Sequence, residues 1–258
     1  MLLKNNVVFL TGGSAGIGRE CAKAYVREGA LLCIADKHQQ SLDAVMRELG
    51  PCHLGVCCDV SRGAEVNAAI HRAIAFFGKI DAIHNNAGIA HPAKALDETS
   101  ETEWDDLVAN NLKSAYLTTK YGIEALKASR GTILNTSSMV GVIGQEMHAA
   151  YAATKGAMNA LTKSMALDYA KYGIRVNAVC PAGVWTPLLR KWAAEQADTA
   201  SIREYLDNIH VLGYCPEGDV VADACVFLLS DKARFITGCL LPVSGGAELG
   251  YRALMRTE

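Results

Sequence analysis

Seven short apolar, β-rich runs recur along the chain at 7–10, 31–35, 52–58, 80–84, 131–136, 175–179 and 239–243, with longer amphipathic stretches between them. Such repetition admits few folds, because parallel strands need a crossover helix and that crossover has one hand. The reading is an α/β fold, a doubly wound parallel sheet of seven strands with helices on both faces. The runs are mostly continuous rather than alternating, as burial on both faces requires, and 50% hydrophobic residues with 7% aromatics suit them. Helices are predicted over about 17–28 and 39–49, and another within 147–171. No Pro/Gly/Ser-rich linker divides the chain, so 1–258 reads as a single domain. At this mass folding removes roughly 72% of the unfolded surface from water, ample for one core.

Two connections are longer than the rest, 89–102 after the fourth strand and 181–215 after the sixth. Ligands of open parallel sheets sit beyond the carboxyl ends of the strands. These connections are therefore expected to wall a site, with 184–215 as a substrate lid.

The charge balance excludes several function classes. With 25 Lys+Arg against 27 Asp+Glu the net charge is −2, and no basic run exceeds two residues, so no field favours nucleic acid. No apolar run approaches the roughly 18 residues that span a bilayer. The first apolar stretch stops at Thr11-Gly12-Gly13, too short for a secretory signal, and a cytoplasmic protein is expected. Nine scattered cysteines without CxxC spacing read as free thiols in a reducing compartment, and no metal site is expected.

The chemistry begins at Thr11-Gly12-Gly13-Ser14-Ala15-Gly16-Ile17-Gly18, a TGxxxGxG turn between a strand and a helix. Glycines there let backbone amides at a helix N-terminus approach a pyrophosphate. Asp36 ends the second strand 18 residues after Gly18, where a carboxylate accepts from both ribose hydroxyls and repels a 2′-phosphate, favouring NAD over NADP. Tyr151 and Lys155 stand four residues apart, on one face of the helix predicted there. A cation beside a phenol is expected to lower its pKa from about 10 towards working pH, as proton exchange with an alcohol or carbonyl needs. Hydride chemistry of this kind needs no metal.

Taken together, these motifs make the whole chain similar to the short-chain dehydrogenase/reductase family, with its Rossmann-type fold. The resemblance rests on the glycine turn, Asn85-Asn86-Ala87-Gly88, Ser138 thirteen residues before Tyr151, and Tyr151xxxLys155. It implies that Tyr151 exchanges the proton, Lys155 holds the nicotinamide ribose, and Ser138 polarises the substrate oxygen. It also implies that Asn111 steadies a proton relay, with Asn110 the alternative. By the same pattern Asp59 and Val60 would meet the adenine, and Asn86, Ala87 and Gly88 would line the middle of the cofactor. Gly12, Ser14, Gly16, Ile17 and Gly18 would cradle the phosphates, while Pro181, Val184 and Thr186 would meet the nicotinamide. Asp59 can equally cap the following helix, since Ser61 follows it. Pro181-Ala182-Gly183 and Ser244-Gly245-Gly246 depart from the family's Pro-Gly and Asp-Gly-Gly.

For the substrate, Gln145, Glu146, His148 and His91 offer polar groups, while Trp185, Leu188, Leu189 and Trp192 offer an apolar cover. Gly144-Gln145 and the stretch 181–188 are similar to the subgroup that includes L-fucose dehydrogenases, which implies a sugar or polyol substrate. Reduction of a 3-oxoacyl thioester or another carbonyl is the alternative within the family, and a non-catalytic dinucleotide sensor the alternative outside it. Small residues along 149–160 permit close helix approach, and the resemblance implies a homotetramer, with a dimer as the second expectation.

Overall fold

The computed structural model describes residues 1–196 and 198–250. Position 197 of the expected lid and residues 251–258 of the expected domain lie outside them. The strands are β1 Val7–Thr11, β2 Leu31–Asp36, β3 Leu54–Cys57, β4 Ala82–Asn85, β5 Thr132–Thr136, β6 Arg175–Pro181 and β7 Leu240–Val243. They form one sheet in the order β3-β2-β1-β4-β5-β6-β7, every pair parallel. The order reverses between β1 and β4, which opens a crevice at their carboxyl ends.

The helices are α1 Gly16–Arg27, α2 Gln39–Leu49, α3 Gly63–Phe77, α4 Glu101–Val108, α5 Ser114–Ser129, α6 Ala149–Tyr169, α7 Pro187–Ala194, α8 Thr199–Asn208 and α9 Asp219–Leu229. Successive strand residues supply opposite cores: Val8 and Leu10 pack beneath α1 and α9, while Phe9 packs beneath α3 and α5. No helix among the described residues is long and apolar enough to cross a membrane.

The strands predicted at 52–58 and 80–84 are shorter or shifted. Cys52 and His53 turn out of β3, and the His53 ring instead accepts a bond from the Leu32 amide at 3.2 Å. Ile80 is fully buried ahead of β4, so its apolarity reflects core packing rather than strand pairing.

The 89–102 connection carries a short 3-10 turn and then starts α4 with a capping box between Ser100 and Glu103. Between α4 and α5 the helix widens into a π turn at Ala109–Lys113. The extra residue separates two neighbouring asparagines: Asn111 is 1% exposed, whereas Asn110 bonds back to the Asp106 carbonyl on the outer side. The 181–215 connection holds α7 and α8, with Thr186 capping α7 ahead of Pro187.

Candidate active site

The glycine turn is shaped by contacts that only glycine allows. Gly12 has φ +65°, and a Cβ there would stand 2.8 Å from the Ala87 Cα. At Gly18 a Cβ would stand 2.0 Å from the Gly12 carbonyl oxygen, so α1 starts flush against the turn. Ala15, at the N-cap, offers no side-chain acceptor to the first amides of α1, and Ile17 packs against the core just inside it. That leaves the helix's positive end facing a cavity of about 500 Å³, lined by Ser14, Ala15, Gly16, Arg19, Trp185 and Arg190 among others. Fixed amide donors at a helix N-terminus beside such a cavity fit a dinucleotide's pyrophosphate.

Asp36 forms the far wall of the turn and is 7% exposed. One carboxylate oxygen accepts from the Ser14 amide at 3.1 Å and the Ser14 hydroxyl at 2.6 Å; the other accepts from the His38 amide at 3.0 Å. Asp59 accepts from the Ser61 amide at 2.9 Å and the Ser61 hydroxyl at 2.7 Å in a turn ahead of α3, but does not cap that helix, whose N-cap position is held by Arg62 without a side-chain bond; Val60 beside it is buried. Asn86 clamps the turn from β4, donating to the Thr11 carbonyl at 3.1 Å and the Gly12 carbonyl at 3.0 Å. The Ala87 amide donates to the Thr11 hydroxyl at 3.1 Å.

Ser138 follows β5, and Tyr151 and Lys155 rise from the first turns of α6. The Tyr151 phenol hydrogen-bonds with Ser138, and the Lys155 Nζ lies 5.7 Å from the centre of the phenol ring. Lys155 is 4% exposed and donates to the Thr136 carbonyl at 2.8 Å. Asn111 joins them from the π turn: its amide group donates to the Ile89 carbonyl at 2.8 Å and to Thr154 at 3.2 Å, and its oxygen accepts from the Ile89 amide at 2.7 Å. A Cβ on Gly88 would stand 2.9 Å from the Asn111 oxygen and 3.7 Å from the Lys155 Nζ, so this corner packs against both.

Burial dominates the titration of the pair. It lowers Lys155 to about 8 and raises the Tyr151 phenol above its ordinary value, with the Ser138 bond pulling the phenol back. The expected depression of the phenol by its lysine is therefore not produced by the folded chain alone. The ammonium is committed to the Thr136 carbonyl.

The connection after β6 packs against the glycine turn. Val184 is buried, Pro181 ends β6, and the Thr186 methyl would be 3.3 Å from a Cβ on Gly16. Trp185, expected in the apolar cover, lines the cavity beside the glycine turn. It precedes α7, shares no helical face with Trp192, and stacks with Arg190 at 5.1 Å and Arg203 at 5.7 Å beside the 500 Å³ cavity. Near the phenol stands His148, whose ring meets Tyr151 edge-on at 6.4 Å.

Some members of the site carry no motif. Thr136 acts through a backbone carbonyl, which leaves no mark in a sequence. Asn159 accepts from Ser137 at 2.6 Å and donates to the Gly141 carbonyl at 3.0 Å, fixing the Ser138 loop on α6; its place four residues after Lys155 was the available signal.

A family model described as enoyl-(acyl carrier protein) reductase matches residues 12–248. The L-fucose dehydrogenase of Bos taurus is 44% identical over 246 residues, spanning 95% of this chain and 90% of that protein. The aldohexose dehydrogenase of Thermoplasma acidophilum superposes with a TM-score of 0.89 at 34% identity, over 99% of this chain and 98% of its own. The 3-ketoacyl-(acyl-carrier-protein) reductase of Brucella melitensis, solved with NADH, gives 0.87 at 32%, over 95% and 99%. Agreement of that extent, on a fold whose sheet edge gathers the residues singled out by the sequence, settles the family: the chain belongs to the short-chain dehydrogenases/reductases.

Proposed function

We propose that the protein is an NAD(H)-dependent dehydrogenase of a sugar or polyol, working at a secondary or anomeric hydroxyl. The observation that carries this is the meeting of Ser138, Tyr151 and buried Lys155 beside the open end of the glycine turn. When bound, nicotinamide takes up or returns the hydride. Tyr151 takes the hydroxyl proton, and its phenol must first be deprotonated against the burial that raises its pKa. Ser138 donates to the substrate oxygen and fixes it beside Tyr151. Lys155 holds the nicotinamide ribose and supplies the charge that favours phenolate, while Asn111 ties the Ile89 backbone to α6 and keeps the corner in register.

Several further roles belong to this reading. Gly12, Ser14, Gly16, Ile17 and Gly18 cradle the pyrophosphate; Asp59 and Val60 flank the adenine; Asn86, Ala87 and Gly88 line the middle; Pro181, Val184 and Thr186 receive the nicotinamide end. Asp36 selects NAD, because a 2′-phosphate would meet a nearly buried carboxylate. The segment 184–215 serves as substrate cover, with Gln145, Glu146, His148 and His91 as the polar side. The sugar assignment is supported by the L-fucose and aldohexose dehydrogenase relatives. Nine free cysteines suit a reducing, cytoplasmic setting.

A homotetramer is supported by an open stripe on α6 at Ala149, Ala153, Gly156, Ala157 and Ala160, ending at Leu167, which is 82% exposed. Sedimentation should give about four times 27.5 kDa, and a lone 27.5 kDa species would refute assembly.

The test of function is cofactor reduction measured over sugars, polyols and a 3-oxoacyl thioester, with NAD and NADP in parallel. Turnover of L-fucose or a related sugar with higher kcat/KM for NAD is expected. Thioester reduction with inert sugars would favour the reductase alternative seen in the Brucella relative. Cofactor binding without turnover of any of these would favour the sensor.

A further inference from the structure

Behind the site, at the carboxyl end of β4, lies a buried polar cluster that the motifs did not reveal. His84 is fully buried; its Nδ1 is 2.9 Å from the Tyr25 hydroxyl on α1 and its Nε2 is 2.9 Å from the Thr136 hydroxyl on β5. Cys21 and Cys225 complete the surroundings, their thiols in hydrogen-bond reach of the same Tyr25 hydroxyl. The cysteine and histidine ligand atoms lie within 4.8 Å of one another, the raw material of a metal site. The phenolic hydroxyl bonds with all three groups, however, and both ring nitrogens of His84 are engaged, so the set is already satisfied without an ion.

Hydrogen-bond directions in this cluster follow from one fixed end. Asn86 must present its NH2 to the Thr11 and Gly12 carbonyls, which leaves its oxygen facing Thr136. The Thr136 hydroxyl donates to that oxygen at 3.4 Å and so must accept from His84 Nε2. His84 then carries its proton on Nε2, and its bare Nδ1 accepts from Tyr25. Burial keeps the ring neutral by pushing its pKa down to about 3, and Tyr25 and Cys225 around it are a phenol and a thiol whose burial also favours the neutral form. One chain of donors thus runs Tyr25, His84, Thr136, Asn86 and ends on the glycine turn. Its middle member, Thr136, also supplies the carbonyl that holds Lys155.

We propose that His84 is a positioning residue for the oxidoreductase site: by donating from Nε2 it fixes Thr136, and through Thr136 both the Lys155 anchor and the Asn86 clamp on the glycine turn. This rests on the dehydrogenase reading for its kinetic consequences but not for its tautomer. A neutral donor suits this place, since a second cation beside Lys155 would oppose the ammonium.

The test combines histidine-ring nitrogen NMR on the wild type with kinetics and NADH binding of three variants. The ring should show its proton on Nε2 from pH 5 to pH 9; a proton on Nδ1, or a protonated ring in that range, overturns the proposal. His84→Leu should lower kcat at least tenfold and weaken NADH binding, with KM for the sugar changed less than threefold. His84→Gln, whose terminal NH2 can replace Nε2, should restore most of kcat, while His84→Asn, which can reach only Tyr25, should not. Full activity of His84→Leu, or equal rescue by Asn and Gln, overturns it. If His84→Leu does not fold, the contrast between Gln and Asn and the ring tautomer decide. A wild type that turns over no substrate defeats the dehydrogenase reading, and the tautomer and NADH affinities still decide this one.

Discussion

At the scale of single residues, the phenol of Tyr151 and the ammonium of Lys155 share one constraint: each is charged at some stage of proton exchange, and each is withdrawn from water, Tyr151 half-buried and Lys155 fully. Tyr151→Phe removes the exchanged proton but little of the packing. We expect turnover to fall about 10²- to 10⁴-fold, the usual worth of a positioned acid or base, with NADH affinity within a few-fold of wild type. Unchanged turnover would reject its role. Alcohol oxidation needs the phenolate, so kcat should rise with pH along an acid limb. Burial raises that phenol and the Ser138 bond lowers it, while the Lys155 charge adds a further pull once substrate and cofactor exclude water. Lys155→Met should therefore move the limb to higher pH in a plot of log kcat against pH, and a limb that stays in place would show that the ammonium does not tune the phenol. These residues were legible because their chemistry needs side chains at fixed spacing. His84 was not: it ends a mostly apolar run, and its partner Tyr25 lies 59 residues away.

At the scale of elements, each junction in the site depends on a strand or helix ending at one particular atom. A methyl on Gly18 would overlap the Gly12 carbonyl, and no neighbouring side chain can yield, because the obstacle is backbone. Gly18→Ala should abolish NADH binding in a fluorescence titration and lower the urea midpoint; retention of both would mean that α1 can retreat from the turn. The element order was readable from the alternation of runs, since parallel pairing with helical crossovers has so few arrangements. Residues 109–113 were harder. Asn110 and Asn111 are chemically identical neighbours, and only the π turn decides which one enters the interior. The position of Trp185 ahead of α7, against Arg190 and Arg203, could not be read from its apolar character.

At the scale of the whole molecule, the polar cluster beneath the sheet edge couples global stability to acidity. His84 holds a pKa of about 3 when folded, against about 6.5 for a free imidazole. Between those values the unfolded chain binds a proton that the folded chain refuses. The contribution is intact above about pH 6.5 and drains away as pH falls towards 3, amounting to several kcal/mol in all. The stability of wild type minus that of His84→Gln, measured by urea unfolding, should thus decline as pH is lowered from 7 to 4. A flat difference would show that the ring is protonated in the native state. The same cluster spans α1, β4, β5 and α9, which is why no local pattern announced it.

The widened helical turn between α4 and α5 carries a genetic consequence. A π turn is an α-helix with one residue inserted, so an in-frame loss of a single codon among 109–113 would heal it into regular helix. Everything upstream would then rotate by about 100° relative to α5. Loss of residue 112 or 113 would leave the hydrophobic seam of α5 intact while withdrawing the Asn111 amide from Ile89 and Thr154. A folded, catalytically silent descendant of this protein is therefore only three nucleotides away.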